Sequence, residues 1–588
     1  MVKYGLFLGA ICVASAVSAS LAAERSGDWS VVAQEESVFT ADQDLLTAGL
    51  GLSGLQSSAP LSDAPDAQSL RRLAIHNAWN ALALPRAAGG LGEGAVYQDL
   101  SPVPGREIKA LLKLADARYP FRVLVQIPDA FDSDSPCLLV APASGSRGVY
   151  GAIALAGPTG RSRGCAVVYT DKGAGTDFHQ LDRDLSPDLL GVLRGGGDPI
   201  RAFEWPDTEG AGEGAIAMKH AHSGDHPEAD WGRHVLIAAQ FGLGQLHAAF
   251  DEAFSVQVLA VGLSNGAGAA LRAAELDQDG LLDGVIAVMP NITPPDGVPL
   301  YDYGTLAALY QPCALGDAER TVSKPLGNPI LVAMGEQRCA SLVEAGLLDQ
   351  PDPAAARARL LEAGFDEPSL KLGAGNIALD LWRAVASSYA SAYLRSGPSD
   401  MPCGYAFDAS GADDAERVLW WATHSGVGPG GGIEMIDGMA DGTDSALPGL
   451  VCLRELWTGE AEQASDLRAA VDQTRATARL PAIPVLLIHG RKDGLIPAAL
   501  SSRPYLAAAR AQGATEIAYW EIERAQHFDA FLNAPGVSGR LVPILPYGWA
   551  GIEHLMAVLA EEAELGPDRT FSPEPGESLL TRESLGLP

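Results

Sequence analysis

Three residue types that can cooperate in acyl transfer occur in this chain in a suggestive order. Ser264 lies in Val256-Gln-Val-Leu-Ala-Val-Gly262-Leu263-Ser264-Asn265-Gly266-Ala267-Gly268, an apolar run that passes into Gly-x-Ser-x-Gly and then into small residues. A serine hydroxyl serves as a nucleophile on a sharp strand-to-helix turn, where its backbone is strained and its neighbours must be small. Gly262 and Gly266 meet that need, and a helix opening just after Ser264 would aim N–H groups at a developing oxyanion. In a chain with 66 glycines the bare pentapeptide carries little weight. The strand before it and the helix after it are what mark Ser264 as the nucleophile.

The hydroxyl needs a base and the base an orienting acid, in the chain order Ser, Asp or Glu, His. Four histidines follow Ser264: His424, His489, His527 and His554. His527, in Glu523-Arg-Ala-Gln-His-Phe-Asp529, comes directly after an apolar strand and is the expected base. Asp493, in Ile488-His-Gly-Arg-Lys-Asp493-Gly-Leu-Ile-Pro497, closes the strand before that one and is the expected acid. His489 reads as a structural turn residue, and His554 as part of an amphipathic terminal helix. Asp529 is the rival acid, but two residues from the base it would need an awkward backbone. One oxyanion donor is expected from the N–H of Asn265. A second should come from the Gly/Ser loop after an earlier strand, at Ser144, Gly145, Ser146 or Arg147.

Other groupings tempt a functional reading. His220, His222 and His226, with Asp225 and Asp230, have the residue types of a metal site but no known ligand spacing, and read as a polar loop near the site mouth. Asp277, Asp279 and Asp283 lack the third loop acid and terminal Glu of a calcium hand, so a helix-ending turn is the better reading. Trp420 and Trp421, near His424, either line a substrate groove or pack in the interior. No metal or organic cofactor is called for.

The elements that must position these residues follow from hydropathic period. Short continuous apolar runs at 122–128, 137–141, 165–170, 256–262, 283–289, 484–489 and 516–521 read as strands. Helical spacing at 69–84, 231–250 and 267–275 alternates with them, which argues for an α/β fold with a mostly parallel sheet covered on both faces. The alternation stops between about 294 and 481, an interval with helical stretches at 354–363 and 377–394 and a Gly/Pro loop at 426–432. The expected organisation is a signal peptide at 1–22, a loose lead-in at 23–65, a catalytic domain from 66–294 and 481–588, and a cap or lid insertion at 295–480.

Of the 588 residues, 47% are hydrophobic, which excludes a disordered chain. With 41 basic against 73 acidic residues the net charge is −32. That field disfavours nucleic acid and anionic membrane surfaces as partners. Lys3, an apolar run over 4–17 and small residues over 18–23 form a secretory leader rather than a span, which needs about 20 apolar residues. Export to the periplasm or medium suits the six cysteines that remain after it, Cys137, Cys165, Cys313, Cys339, Cys403 and Cys452. Six cysteines permit 15 pairings, and pairing in sequential order is expected.

Beyond the elbow, longer peptides carry a resemblance: Gly51-Leu-Ser-Gly-Leu-Gln-Ser-Ser-Ala-Pro60, Leu70-Arg-Arg-Leu-Ala-Ile75, Ser144-Gly-Ser-Arg-Gly-Val-Tyr-Gly-Ala-Ile153, Tyr169-Thr-Asp-Lys-Gly173, Lys219-His-Ala-His-Ser223, Asp230-Trp-Gly-Arg233 and Ser264-Asn-Gly266. With them the chain resembles the D-(−)-3-hydroxybutyrate oligomer hydrolases over nearly its whole length. The resemblance implies an exported α/β-hydrolase-type serine esterase with Ser264 as nucleophile, cutting soluble 3-hydroxybutyrate oligomers, dimers and longer, to monomers downstream of a polyhydroxybutyrate depolymerase. The alternative is an exported carboxylesterase of other specificity, of the feruloyl esterase or tannase kind. The oligomeric state stays open. Such oligomers end in a carboxylate that the net charge repels, and Arg147 or Lys172 is expected to offset this near the site.

Overall fold

The computed structural model describes residues 28–62, 64–83, 100–198, 201–250, 254–315, 329–370, 373–428, 430–532, 539–574 and 581–587. In it the apolar runs become strands of one ten-stranded sheet: β1 (Trp29–Phe39), β2 (Gly105–Leu114), β3 (Phe121–Pro128), β4 (Cys137–Pro142), β5 (Ala166–Thr170), β6 (Gln257–Leu263), β7 (Gly284–Val288), β8 (Val485–Gly490), β9 (Ile517–Ile522) and β10 (Arg569–Phe571). Their order across the sheet is β1-β2-β3-β5-β4-β6-β7-β8-β9-β10. The first three pairings are antiparallel and every pairing from β5 to β10 is parallel. This is an α/β-hydrolase-like sheet.

Strand residues alternate between two interiors, as a period of two requires. Leu139, Val167, Leu259, Ile286 and Leu486 face one core, which they share with α1 (Ala67–Leu82), α2 (Ile153–Ser162) and the C-terminal helix Leu545–Leu559. Leu138, Val168, Val258, Val285 and Leu487 face the other, against α3 (Pro227–Phe250), α4 (Asn265–Leu276) and α5 (Ser502–Ala511). Burial on both faces explains why these strands read as unbroken apolar runs. Each fully buried aliphatic side chain contributes about 1.5–3 kcal/mol of transfer free energy, so the parallel strands form a stiff platform for whatever their carboxyl ends carry.

The expectation of a loose lead-in over 23–65 is overturned for its described part. β1 pairs antiparallel with β2 along its whole length, from Trp29 opposite Leu114 to Phe39 opposite Gly105. Asp44 then ties a tight turn, accepting hydrogen bonds from the Leu46 and Thr47 N–H groups through Oδ1 and from Gly49 through Oδ2. Leu45, Leu46 and Leu55 are buried. The catalytic sheet therefore begins well before residue 66. The segment escaped notice because β1 is an edge strand whose acidic residues face solvent, and such strands are polar in composition. The leader at 1–22 lies outside the described residues.

Between β7 and β8 the chain leaves the sheet. It forms helices at Leu300–Ala314, Pro329–Glu344, Pro353–Glu362, Leu381–Leu394, Leu447–Thr458 and Glu462–Asp472, with a ribbon of Tyr405–Asp408 paired to Glu434–Asp437. Disulfides join Cys137 to Cys165, Cys313 to Cys339 and Cys403 to Cys452, the sequential pattern. Among the described residues no helix is long and apolar enough to cross a membrane.

Candidate active site

Ser264 follows β6 with φ 59° and ψ −123°, a backbone state that costs a non-glycine residue about 1–3 kcal/mol and persists only where its surroundings enforce it. The enforcement is visible in the glycines. A Cβ on Gly262 would stand 2.2 Å from the Gly266 carbonyl oxygen, and one on Gly266 would stand 2.3 Å from the Pro142 carbonyl oxygen. The turn is thus pressed against the end of β4, and α4 starts at the next residue, Asn265.

The sheet brings the three sequence-predicted residues together. Ser264, Asp493 and His527 follow β6, β8 and β9 at the carboxyl end of the parallel strands, the end where open α/β sheets present their sites. His527 Nδ1 lies 2.6 Å from Asp493 Oδ2, and His527 Nε2 lies 3.0 Å from Ser264 Oγ. The carboxylate requires the proton on Nδ1, which leaves Nε2 to accept the serine hydroxyl. Asp493 is itself held: Oδ1 accepts the N–H groups of Leu495 and Ile496 at 2.9 and 2.8 Å. Burial pushes this carboxyl up, but His527 and His489 beside it outweigh burial and hold it well below the usual carboxylate range. All three residues are buried.

The rivals fall away on geometry. Asp529 turns from His527 and accepts the N–H groups of Ile544 and Leu545 at 2.8 and 3.0 Å, with burial raising its carboxyl to about 7. His489 bonds the Ile496 carbonyl at 2.9 Å and so braces the Asp493 turn. His554 bonds the Leu565 carbonyl and packs on Trp520. His424 sits within its own loop, on the carbonyls of Ser425 and Gly430. Trp420 and Trp421 are buried packing residues, the first donating to the Gly431 carbonyl at 2.7 Å. Asp277 accepts the N–H groups of Leu281 and Leu282 in a turn after α4.

The loop after β4 is anchored so that its carbonyls are spent while its N–H groups are not. Lys172 Nζ donates to the Gly145 carbonyl at 2.5 Å, and the Gly426 N–H donates to the Ser146 carbonyl at 2.7 Å. Ser144 turns its own N–H inward to the Gly151 carbonyl at 3.4 Å, which removes it from the candidate oxyanion donors. Among the described residues the N–H groups of Gly145, Ser146, Arg147 and Asn265 have no acceptor, and a substrate oxygen is what such a set can take.

Sequence reasoning missed what stands behind this loop. His220, His222 and His226 do not form a loop at the mouth but are buried beside it. Ser146 Oγ meets His220 Nδ1 at 2.8 Å, and His220 Nε2 is hydrogen-bonded to Glu228 at the start of α3. Burial raises the Glu228 carboxyl, yet His220 and His226 outweigh it and hold the group below its ordinary range. This second serine–histidine–carboxylate chain presents the histidine the other way round and ties the loop after β4 to α3. The Lys219–His222 peptide was the available signal, but its partner Ser146 is 74 positions away. Asn265 Nδ2 donates to Tyr389 on the helix Leu381–Leu394, so the long excursion after β7 reaches the residue next to Ser264.

Three comparisons bear on this arrangement. A family model described as 3HB-oligomer hydrolase matches residues 12–576. A protein of Paracidovorax citrulli (strain AAC00-1) named D-(−)-3-hydroxybutyrate oligomer hydrolase is 35% identical, with 86% of this chain and 84% of that protein aligned. One of the same name from Burkholderia mallei (strain ATCC 23344) is 34% identical over 91% of this chain and 87% of its own. Among solved structures, feruloyl esterase B from Aspergillus oryzae aligns over 85% of this chain and 88% of its own with a TM-score of 0.38 and 12% identity. Lipase A of Candida antarctica aligns over 82% and 84% with a TM-score of 0.34 and 12% identity. The family match over nearly the full length, together with identity to these relatives across most of both chains, means that the chain belongs to the 3HB-oligomer hydrolase family of ester hydrolases.

Proposed function

We propose that the protein is an exported serine esterase that hydrolyses 3-hydroxybutyrate oligomers, dimers and longer, to 3-hydroxybutyrate, with Ser264, His527 and Asp493 as its catalytic triad. The observation that carries this reading is the unbroken hydrogen-bonded chain from Asp493 through His527 to Ser264 on a strained elbow. His527 Nε2 takes the hydroxyl proton as Ser264 Oγ adds to the ester carbonyl, and Asp493 stabilises the imidazolium that results. N–H groups of Asn265 and of Gly145, Ser146 or Arg147 receive the oxyanion. Collapse breaks the ester C–O bond, and His527 gives its proton to the departing alkoxide oxygen, which leaves as a hydroxyl. Water, deprotonated by the same nitrogen, then cleaves the 3-hydroxybutyryl-serine.

The substrate comes from the names of the relatives. A place downstream of a polyester depolymerase follows from it, since soluble oligomers are what such an enzyme would release. Export is supported by the apolar leader and by three disulfides, which persist in oxidising compartments. Ser264→Ala should abolish 3-hydroxybutyrate release from the dimer while the circular dichroism spectrum is unchanged; retained turnover would remove Ser264 from its role. A panel of 3-hydroxybutyrate dimer and trimer, feruloyl esters and short nitrophenyl esters tests the substrate. Preference for the feruloyl esters would favour the plant-wall esterase reading instead.

A further inference from the structure

Among the described residues, Arg71, Arg122, Lys172 and Lys219 near the site have partners and Arg147 does not. Arg71 is paired with Glu107, Arg122 and Lys219 with Asp177, and Lys172 is spent on the Gly145 carbonyl. Arg147 forms no ion pair among the described residues, and its Nη1 is sealed from solvent with no hydrogen-bond partner there. A charged group left so is costly and needs an explanation. Burial alone acts on its ionisation, pushing the guanidinium down to about 10, so it keeps its charge at neutral pH. Among the described residues no carboxylate acts on it.

Its position says what could fill that gap. Arg147 lines a cleft together with Ser144, Leu263, His527, Phe528 and Ile544. His527 must deliver a proton to the leaving oxygen, so a cavity walled by His527 is on the leaving-group side. In a 3-hydroxybutyrate unit the leaving oxygen is on C3 and the acid carbon is C1, with one methylene between them. A carboxylate therefore stands next to the leaving oxygen only when the departing unit is the terminal one. In an internal unit that carbon is a neutral ester.

We propose that Arg147 binds the free carboxylate of the carboxyl-terminal unit on the leaving-group side of the site, so that the enzyme removes units from that end. The inference rests on the oligomer substrate proposed above. The planar guanidinium offers the forked donors that fit a carboxylate, and the reaction is otherwise unchanged: the ester bond that breaks is the one whose alcohol belongs to the unit held by Arg147. The leaving acid is released first, and the rest of the oligomer remains as the acyl-enzyme.

The test compares the free acid of the 3-hydroxybutyrate dimer with its methyl ester in the wild-type protein, Arg147→Gln and Arg147→Lys. The ratio of kcat/KM for acid over ester should fall about 10- to 100-fold in R147Q and be partly kept in R147K; any loss common to both substrates cancels. An unchanged ratio overturns the proposal. A trimer isotopically labelled in its carboxyl-terminal unit should put the label first into monomer, and label retained in dimer overturns the end preference. Inhibition of p-nitrophenyl butyrate turnover by free 3-hydroxybutyrate, against its methyl ester, needs neither a variant nor oligomer hydrolysis. Equal inhibition by acid and ester overturns the carboxylate site. Wild type that cleaves the nitrophenyl ester but neither dimer sinks the substrate reading, and the inhibition pair then still decides the carboxylate site.

Discussion

Asp493 illustrates how much one carboxylate is asked to do. Its Oδ1 is fixed by two N–H groups and its Oδ2 orients His527, so an amide in its place would present a hydrogen where the imidazole needs an acceptor. Asp493→Asn should lower kcat by about 10⁴-fold, with KM little changed, measured by steady-state kinetics on the dimer; Asp529→Asn should not share this loss. If D529N were the damaging change and D493N mild, the orienting acid would be misassigned. Because His527 and His489 hold Asp493 well below the usual carboxylate range, the orienting carboxylate keeps its charge at neutral pH. The triad was legible because sterics and chain order leave a signature: glycines where a Cβ would collide, then an acid and a base behind successive strands. The Ser146–His220–Glu228 chain was not, because its members are related only through the fold. The same holds for Arg147. Its place in the loop after β4 could be read from the sequence, but not that its guanidinium would lack a partner among the described residues while the Lys172 ammonium was spent on the Gly145 carbonyl.

At the scale of elements, the N-terminal part of the sheet depends on a buried ionic cluster. Glu107 on β2 is bound in a fork by Arg71 of α1, at 3.0 Å from Nε and 3.0 Å from Nη2, and also accepts from Gln126 on β3 and Tyr150. Burial works to raise this carboxyl, but Arg71 and Lys109 outweigh it and hold it at about 2, below its ordinary 4.5. A lowered folded-state value means the stabilisation is complete above about pH 4.5 and is lost as pH falls toward 2. The loss should amount to about 3 kcal/mol. Glu107→Gln should destabilise the protein at neutral pH by about 3–5 kcal/mol, since it leaves Arg71 buried and unpaired, and flatten the acid-side slope of the unfolding midpoint between pH 4.5 and 2. An unaltered acid slope in E107Q would mean that other carboxylates govern it. This cluster also explains what the sequence concealed. β2 reads Gly105-Arg-Glu-Ile-Lys-Ala-Leu-Leu-Lys-Leu114, with charges that break the apolar run, yet Glu107 and Lys109 are buried because Glu107 pairs with both Arg71 and Lys109. Strands that bury only aliphatic side chains were plain; the strand that buries a salt bridge, and the edge strand β1 beside it, were not.

For the whole molecule the governing quantity is the charge of −32. An oligomer of 3-hydroxybutyrate bears one negative charge, so the approach of substrate is opposed at long range, while the cleft beside His527 holds Arg147, a cation with no ion pair among the described residues, at short range. The two act over different distances and respond differently to salt. The Debye length is about 30 Å at 0.01 M ionic strength and about 8 Å at 0.15 M, so salt removes most of the repulsion outside but screens a buried pair far less. Raising ionic strength across that range should therefore increase kcat/KM for the free-acid dimer and leave its methyl ester nearly unaffected, the reverse of the usual loss with salt when enzyme and substrate attract. In R147Q the rise with salt should persist although the acid is bound more weakly, because the repulsion belongs to the whole surface. A fall with salt for the wild-type protein would mean that local cations dominate the approach as well as the docking, and that the acidic surface is arranged away from the mouth of the site.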